Sequence, residues 1–148
     1  MFSKSCEYGI KASVFIAQQS LKGERVSLND IAEAIDSPTA FTAKTLQLLS
    51  KNGIIKSIKG FAGGYAIPTE NLDTLSLFHI VDAIDGDPVY KACGLGLKEC
   101  NEAMPCPIHN DFKKVRSALK KILENTLIKK LANDLDGGLV YLKRIMEN

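Results

Sequence analysis

The 148-residue chain carries 19 lysines and arginines against 17 aspartates and glutamates, a formal net charge of +2, and its hydrophobic content of 45% supports a real core. That is enough for one domain of ordinary size or a small domain with an appendage, and the absence of a long uncharged apolar run excludes a spanning helix. No export or lipidation signal opens the chain, so a cytoplasmic protein is expected, in which four cysteines stay reduced and point to metal binding or redox chemistry rather than a disulfide framework.

The first helix is expected from Ser3 to Leu21, with Lys22 and Gly23 at its end. Ile10, Val14, Ala17 and Leu21 line one stripe, and Tyr8, Ala12, Phe15 and Ile16 widen it, so the helix is buried on two sides. Glu7 in its first turn complements the helix dipole. Cys6 reads as a small buried residue.

The stretch from Ser27 to Tyr65 organises the chain. Ser27 can cap a short helix, with Asp30 three residues on as an imperfect capping box, and Ile31, Ala34 and Ile35 fall on one face. Asp36 and Ser37 break that helix, and Pro38 is suited to the first position of the next. In this second helix Phe41, Thr45, Leu48 and Leu49 recur at helical spacing, leaving Ala40, Lys44, Gln47 and Lys51 on the other side. Gly53 ends it, Ile54 to Ile58 reads as a strand, and the chain reverses within Lys59 to Gly64 before returning through Tyr65 to Ile67. Helix, turn, helix and a glycine-tipped ribbon make a winged helix-turn-helix. Between Ser37 and Thr69 lie four lysines, Lys44, Lys51, Lys56 and Lys59, and no acid, the local charge that phosphate affinity requires.

Beyond a polar connection from Pro68 to Asp73, Thr74 can cap a helix reaching Ile84, with Leu75, Phe78, Val81 and Ala83 or Ile84 turned inward and His79 as a core or edge histidine. Gly86, Asp87 and Pro88 close it. Val89 to His109 has no sustained period and holds Cys93, Cys100 and Cys106. A long helix is expected from about Pro107 to Asn133, with Phe112, Val115, Leu119, Ile122, Leu123, Leu127, Ile128 and Leu131 as its stripe. A stripe so far from the winged core suggests pairing with a second copy. Leu139 to Met146 is read as a short terminal helix.

The three thiols, with His109 three positions after the last, favour a soft metal, and their spacing departs from the paired CxxC of structural zinc sites. An iron-sulfur centre, with three sulfurs and one other ligand, is therefore preferred, and zinc stays open. If Cys106 sits at a helix N-cap, the helix end lowers its pKa, while Gly94 and Gly96 let the backbone bend close around a centre. A thiol enzyme with Cys106 as nucleophile and His109 as base lacks an oxyanion site and a substrate pocket, so no enzymatic role is expected.

With the opening Cys6-Glu7-Tyr8-Gly9-Ile10-Lys11-Ala12, the Ser27 to Ile35 helix, the Leu48 to Ile67 block and the cysteine triplet, the chain resembles the IscR, NsrR and CymR family of winged-helix transcription regulators. The resemblance implies a mainly α fold with a small β wing and a long dimerisation helix. It divides the chain into a DNA-binding domain over 1–85, a cluster-binding loop over 86–109 and a dimerisation and C-terminal segment over 110–148. It also implies a homodimer on double-stranded promoter DNA, in which an iron-sulfur cluster of two or four irons tunes operator affinity. The ligands would be Cys93, Cys100 and Cys106, with His109 or an acid from the other subunit, corresponding to Glu7, as the fourth. A zinc- or thiol-based sensor without a cluster is the alternative. The candidate DNA contacts are Ser37, Thr39, Ala40, Phe41, Lys44, Lys51, Lys59, Phe61, Gly63 and Gly64. Pro38, Ala40, Phe41 and Ala43 stand where the IscR type carries more polar groups, Lys59 where relatives often have arginine, and Phe61-Ala62 in place of Pro-Gly, so the operator is not expected to be shared.

Overall fold

The computed structural model describes residues 1–144 and is mainly helical, with a single two-stranded antiparallel sheet among them. Helix α1 spans Lys4–Leu21, where the Ser3 hydroxyl accepts from the Cys6 amide at 3.0 Å and caps it. Its buried face, Ala12, Val14, Ile16 and Ala17, forms the centre of the core.

Helix α2 (Leu28–Ala34) carries a complete capping box, with Asp30 N–H donating to the Ser27 hydroxyl at 3.1 Å and Ser27 N–H to the Asp30 carboxylate at 3.2 Å. Aspartate thus does what a longer acid usually does at this position. The turn passes through Asp36, a non-glycine residue at φ 51°, into α3 (Thr39–Lys51). Pro38 sits at the N-cap rather than inside the first turn, so the helix starts one residue later than expected. The inward face of α3 is also shifted: Thr42, Thr45, Leu46 and Leu49 are buried, whereas Phe41 is 38% exposed and Leu48 only partly covered. Thr42 and Thr45 tolerate burial because their hydroxyls donate to the carbonyls of Pro38 and Phe41 one turn back.

Strands β1 (Lys56–Ile58) and β2 (Gly64–Ala66) pair with Ser57 opposite Tyr65, and Val26 adds a bridge to Tyr65 on the far edge. The wing needs glycine at two positions. A side chain on Gly63 would lie 2.2 Å from the Ile58 carbonyl oxygen, and Gly64, at φ +140°, would bring one within 2.7 Å of the Val26 carbonyl oxygen.

The polar connection contains a short helix, α4 (Thr69–Leu72), and α5 (Leu77–Ile84) begins later than expected, capped by Ser76 instead of Thr74. His79 is at the exposed edge, its Nδ1 accepting from Ser76 N–H at 3.0 Å, so the imidazole serves as a capping group. Another short helix, α6 (Pro88–Lys91), follows where no periodicity was visible.

The expected continuous helix to Asn133 is two helices, α7 (His109–Asn125) and α8 (Ile128–Asp136). The break has a backbone cause. Thr126 is extended (φ −96°, ψ 103°), its carbonyl accepts from Leu77 N–H, and Ile128 N–H donates to the Leu75 carbonyl, both at 2.9 Å. These bonds tie the linker to the start of α5 and turn α8 back onto α1, where Ile128 and Ala132 join the main core. Residues 128–136, expected with the dimerisation segment, therefore pack on the winged helix. A smaller core of Cys6, Val81, Tyr90 and Leu123 joins α1, α5, α6 and α7. Of the terminal helix expected over Leu139–Met146, residues 139–144 are irregular and the rest lies outside the described residues.

Candidate nucleic-acid interface and cysteine loop

The inward face of α3 fixes what it offers outward. Lys44, Gln47 and Lys51 are exposed along its length, and Thr39 and Ala40 are exposed in its first turn. The Ser37 hydroxyl is bonded to that of Thr42, which holds the turn and leaves Ser37 partly covered. Phe41 meets Tyr8 edge-on, with ring centroids 5.3 Å apart, and Lys11 Nζ stands 4.8 Å from the Tyr8 centroid. At the wing tip Lys59 and Phe61 are exposed, Phe61 completely, while Gly63 and Gly64 shape the return strand.

Arg25 was not singled out in the sequence, where a lone arginine before a helix carries no motif. Its Nη1 donates to the Ala62 carbonyl at 3.0 Å and so braces the wing tip. None of Lys44, Lys51, Lys56 and Lys59 makes an ion pair among the described residues, and no acid lies between Ser37 and Thr69. Among the described residues the helix and wing therefore present lysines that no acid neutralises, suited to a polyanion.

The cysteine loop lies beyond α6. Its residues divide into two pairs. Cys93 Sγ accepts from Leu95 N–H at 3.4 Å and lies beside Cys106. The amides of Leu95 and then Leu97, with smaller help from Cys106, draw the Cys93 thiol below its ordinary range. Cys100 Sγ lies 3.4 Å from Nδ1 of buried His109 and accepts from Arg116 Nη2 at 3.1 Å. Gly94 is pressed against the Phe112 ring, where an added side-chain carbon would come within 2.8 Å, and Gly96 turns at φ +73°.

Cys106 is not an N-cap. Helix α7 starts at His109, with Ile108 at the cap, and the Cys106 carbonyl accepts from His109 N–H at 3.0 Å in a tight turn, so the expected helix-end effect on this thiol lacks its geometry. Glu7 is half exposed and paired with Lys4 at 3.3 Å, on α1. Among the described residues no three His, Cys, Asp or Glu side chains are gathered as a metal-binding group. The donors nevertheless suit an iron-sulfur centre in kind, three cysteines and a histidine, and two of the three sulfurs accept from N–H groups, Cys93 from Leu95 and Cys100 from Arg116. An open cavity of about 350 Å³ beside Cys100 and His109 is bordered by Tyr90, Lys113, Arg116 and Ser117.

Residues 2–134 match the model of a family described as Rrf2, iron-dependent transcriptional regulator. The chain belongs to the Rrf2 family. It is 28% identical over 135 residues, 90% of this chain and 92% of the relative, to a protein of Aquifex aeolicus whose own assignment as a helix-turn-helix transcriptional regulator is provisional. It is 24% identical to the regulator IscR of Pectobacterium atrosepticum, over 86% of this chain and 76% of that one. The fold is shared with CymR, the global cysteine regulator of B. subtilis (TM-score 0.73, 23% identity, 90% of this chain and 96% of that one). It is shared also with T. potens IscR (TM-score 0.72, 20% identity, 95% and 91%). These Rrf2 relatives are transcription regulators, not enzymes, and no described helix of this one is long and apolar enough to cross a membrane.

Proposed function

We propose that this Rrf2 regulator is a cytoplasmic homodimer that binds promoter DNA through α3 and the wing, with an affinity modulated by an iron-sulfur centre. The DNA reading rests on the lysines of α3 and the wing, which make no ion pair among the described residues, in a stretch of sequence without an acid. Lys44, Lys51 and Lys59 meet phosphates, Thr39, Ala40 and Phe41 lie at base edges, Ser37 holds the entry turn, and Phe61, Gly63 and Gly64 carry the wing toward a minor groove. Pairing is supported by α7, whose Val115 and Ile122 are 56% and 60% exposed and need a cover.

Cys93, Cys100 and Cys106 would hold the centre, with His109 or Glu7 of the partner subunit as fourth ligand. The centre supplies an exchangeable, oxidant-sensitive anchor for the loop. His109 is favoured as that ligand by its burial and its place beside Cys100. A thiol switch without a centre has its own support in the adjacency of Cys93 and Cys106.

The test is a chain purified without oxygen and reconstituted with ferrous iron and sulfide. Visible absorption from sulfur-to-iron charge transfer, together with selective retention of a genomic fragment at low ionic strength, is expected. A colourless protein that still selects DNA would leave the thiol reading, and one that selects no fragment would refute the whole proposal.

A further inference from the structure

Arg116 is the most unusual side chain outside the candidate ligands. It is 7% exposed, in a helix whose other cations face water. A guanidinium is rarely buried without several acceptors, and this one is spread over a single short segment. Nη1 donates to the carbonyls of Lys91 and Ala92, at 2.7 and 2.8 Å, and Nη2 donates to Cys100 Sγ at 3.1 Å. Ala92 immediately precedes Cys93, so one planar group holds both ends of the loop from Cys93 to Cys100. Among the described residues Nε is buried with no partner, so the remaining bonds carry the burial.

The position within α7 matters as much as the bonds. His109 and Arg116 are seven residues apart, two turns along one face, and both touch the Cys100 sulfur. Leu123, a further seven residues on, continues that face into the smaller core with Val81 and Tyr90. The exposed Val115 and Ile122 proposed to meet a second copy each precede a residue of that face, so they lie about 100° round the helix from it. Whatever engages the Cys100 sulfur therefore acts on α7 through His109 and Arg116, and of the two Arg116 alone also holds the carbonyls of Lys91 and Ala92.

We infer that Arg116 is a positioning residue that couples the state of Cys100 to the placement of α7. A Cys100 sulfur without iron is a full acceptor for Nη2, as it is here. A sulfur bound to iron would share its electron density with the metal and accept less from Nη2, leaving the guanidinium to the carbonyls of Lys91 and Ala92. The two states give α7 two seatings on α6, and the operator affinities of the two states differ accordingly. This rests on the proposed iron-sulfur function and deepens it.

The experiment uses the full-length reconstituted protein, the tightest genomic fragment recovered with wild type, and the same samples after iron is stripped by a chelator under reducing conditions. Two variants are compared, Arg116→Met, which keeps the length but removes every donor, and Arg116→Lys, which keeps the charge but loses the fork. Wild type is expected to show a ratio of loaded to stripped affinity of at least about fivefold, in either direction, the lower end of ordinary allosteric coupling.

Arg116→Met is expected to keep the visible spectrum, the oligomeric state and binding of the fragment, while the ratio falls to within about twofold of unity, with Arg116→Lys between the two. A merely structural arginine would lower the melting temperature and leave the ratio alone, and that result overturns the inference. Loss of the spectrum in both variants also overturns it, because Arg116 would then support the centre rather than transmit its state. A wild-type ratio of unity defeats the cluster-modulated reading itself, and this inference falls with it.

Discussion

Replacing Lys59 by glutamine tests the cationic surface quantitatively. The side chain is exposed at the start of the wing tip and has no ion-pair partner among the described residues, so its removal takes away one charge without freeing an acid. Each phosphate neutralised contributes about 0.9 to the slope of log affinity against log salt on duplex DNA. In a dimer the substitution removes two such contacts, so the slope should flatten by about 1.8. Between 50 and 200 mM salt, a fourfold range, the wild type should lose about twelvefold more affinity than the variant. Fluorescence anisotropy with one selected duplex across that range reads the slope directly. The overall fold is not at stake, since Lys59 is exposed. An unchanged slope in a dimeric, folded variant would refute the placement of the wing against phosphates, whatever happens to affinity at a single salt concentration.

Gly64→Ala should strain the wing by about 1 to 3 kcal/mol, since the new side chain meets the Val26 carbonyl at a backbone angle glycine favours. Faster hydrogen exchange at the Val26 and Tyr65 amides with weaker DNA binding is expected, and unaltered exchange would count against it. Leu49→Ala, at a fully buried site on α3, should cost about 2 to 5 kcal/mol in denaturant unfolding. A loss under 1 kcal/mol would mean that α3 is not seated as described. Cys6, pushed up from 9.0 to about 12 by burial and by neighbouring Asp85, keeps its proton in the fold where the unfolded chain loses it. The folded state then binds more protons between pH 9 and 12, so stability from this group is complete below pH 9 and falls by up to about 1.4 kcal/mol per unit above it. Cys6→Ala should flatten that alkaline decline relative to wild type, and identical declines would dismiss the effect.

The winged helix was legible because its signals are local. Ser27 and Asp30 state a cap in four residues, and the glycines at 63 and 64 announce a reversal that no other residue permits. The register of α3 was harder. Phe41 and Leu48 fit the helical period as well as Leu46 does, and only packing against α1, where Tyr8 takes the Phe41 edge, decides which are inside. The break at Thr126 was invisible, since leucines and isoleucines run through it at nearly unbroken spacing. It is made by backbone bonds to Leu75 and Leu77, some fifty residues away, which no local pattern reports. The candidate ligands were readable as residue types, but their division into pairs was not, and no sequence signal singles out Arg116, whose three acceptors are set by the tertiary fold.

Under the proposed function, that break also sets how motion at the cysteine loop would reach DNA. Helix α8 buries Ile128 and Ala132 with α1, so it belongs mechanically to the winged unit. Helix α7 buries only His109, Arg116 and Leu123. Near its C-terminal end it is held by the two bonds around Thr126 and by Leu123 against Val81 and Tyr90, and over its first two turns by the contacts of His109 and Arg116 with Cys100. Seventeen residues of α-helix make a rod about 25 Å long, and a tilt of roughly 5° about the Thr126 end moves the other by about 2 Å. A helix interior resists bending far more than this junction resists pivoting, so under the proposed function the displacement would be delivered as a rotation of the winged unit against α7. In the proposed dimer joined along α7 that rotation would change the distance and angle between two copies of α3, the quantities that half-site spacing on a duplex selects. A small change at one sulfur would then suffice to alter operator fit, provided that α7 and α8 remain two helices. An insertion restoring continuous helix through residues 126–127 should abolish the response while leaving the thiols intact.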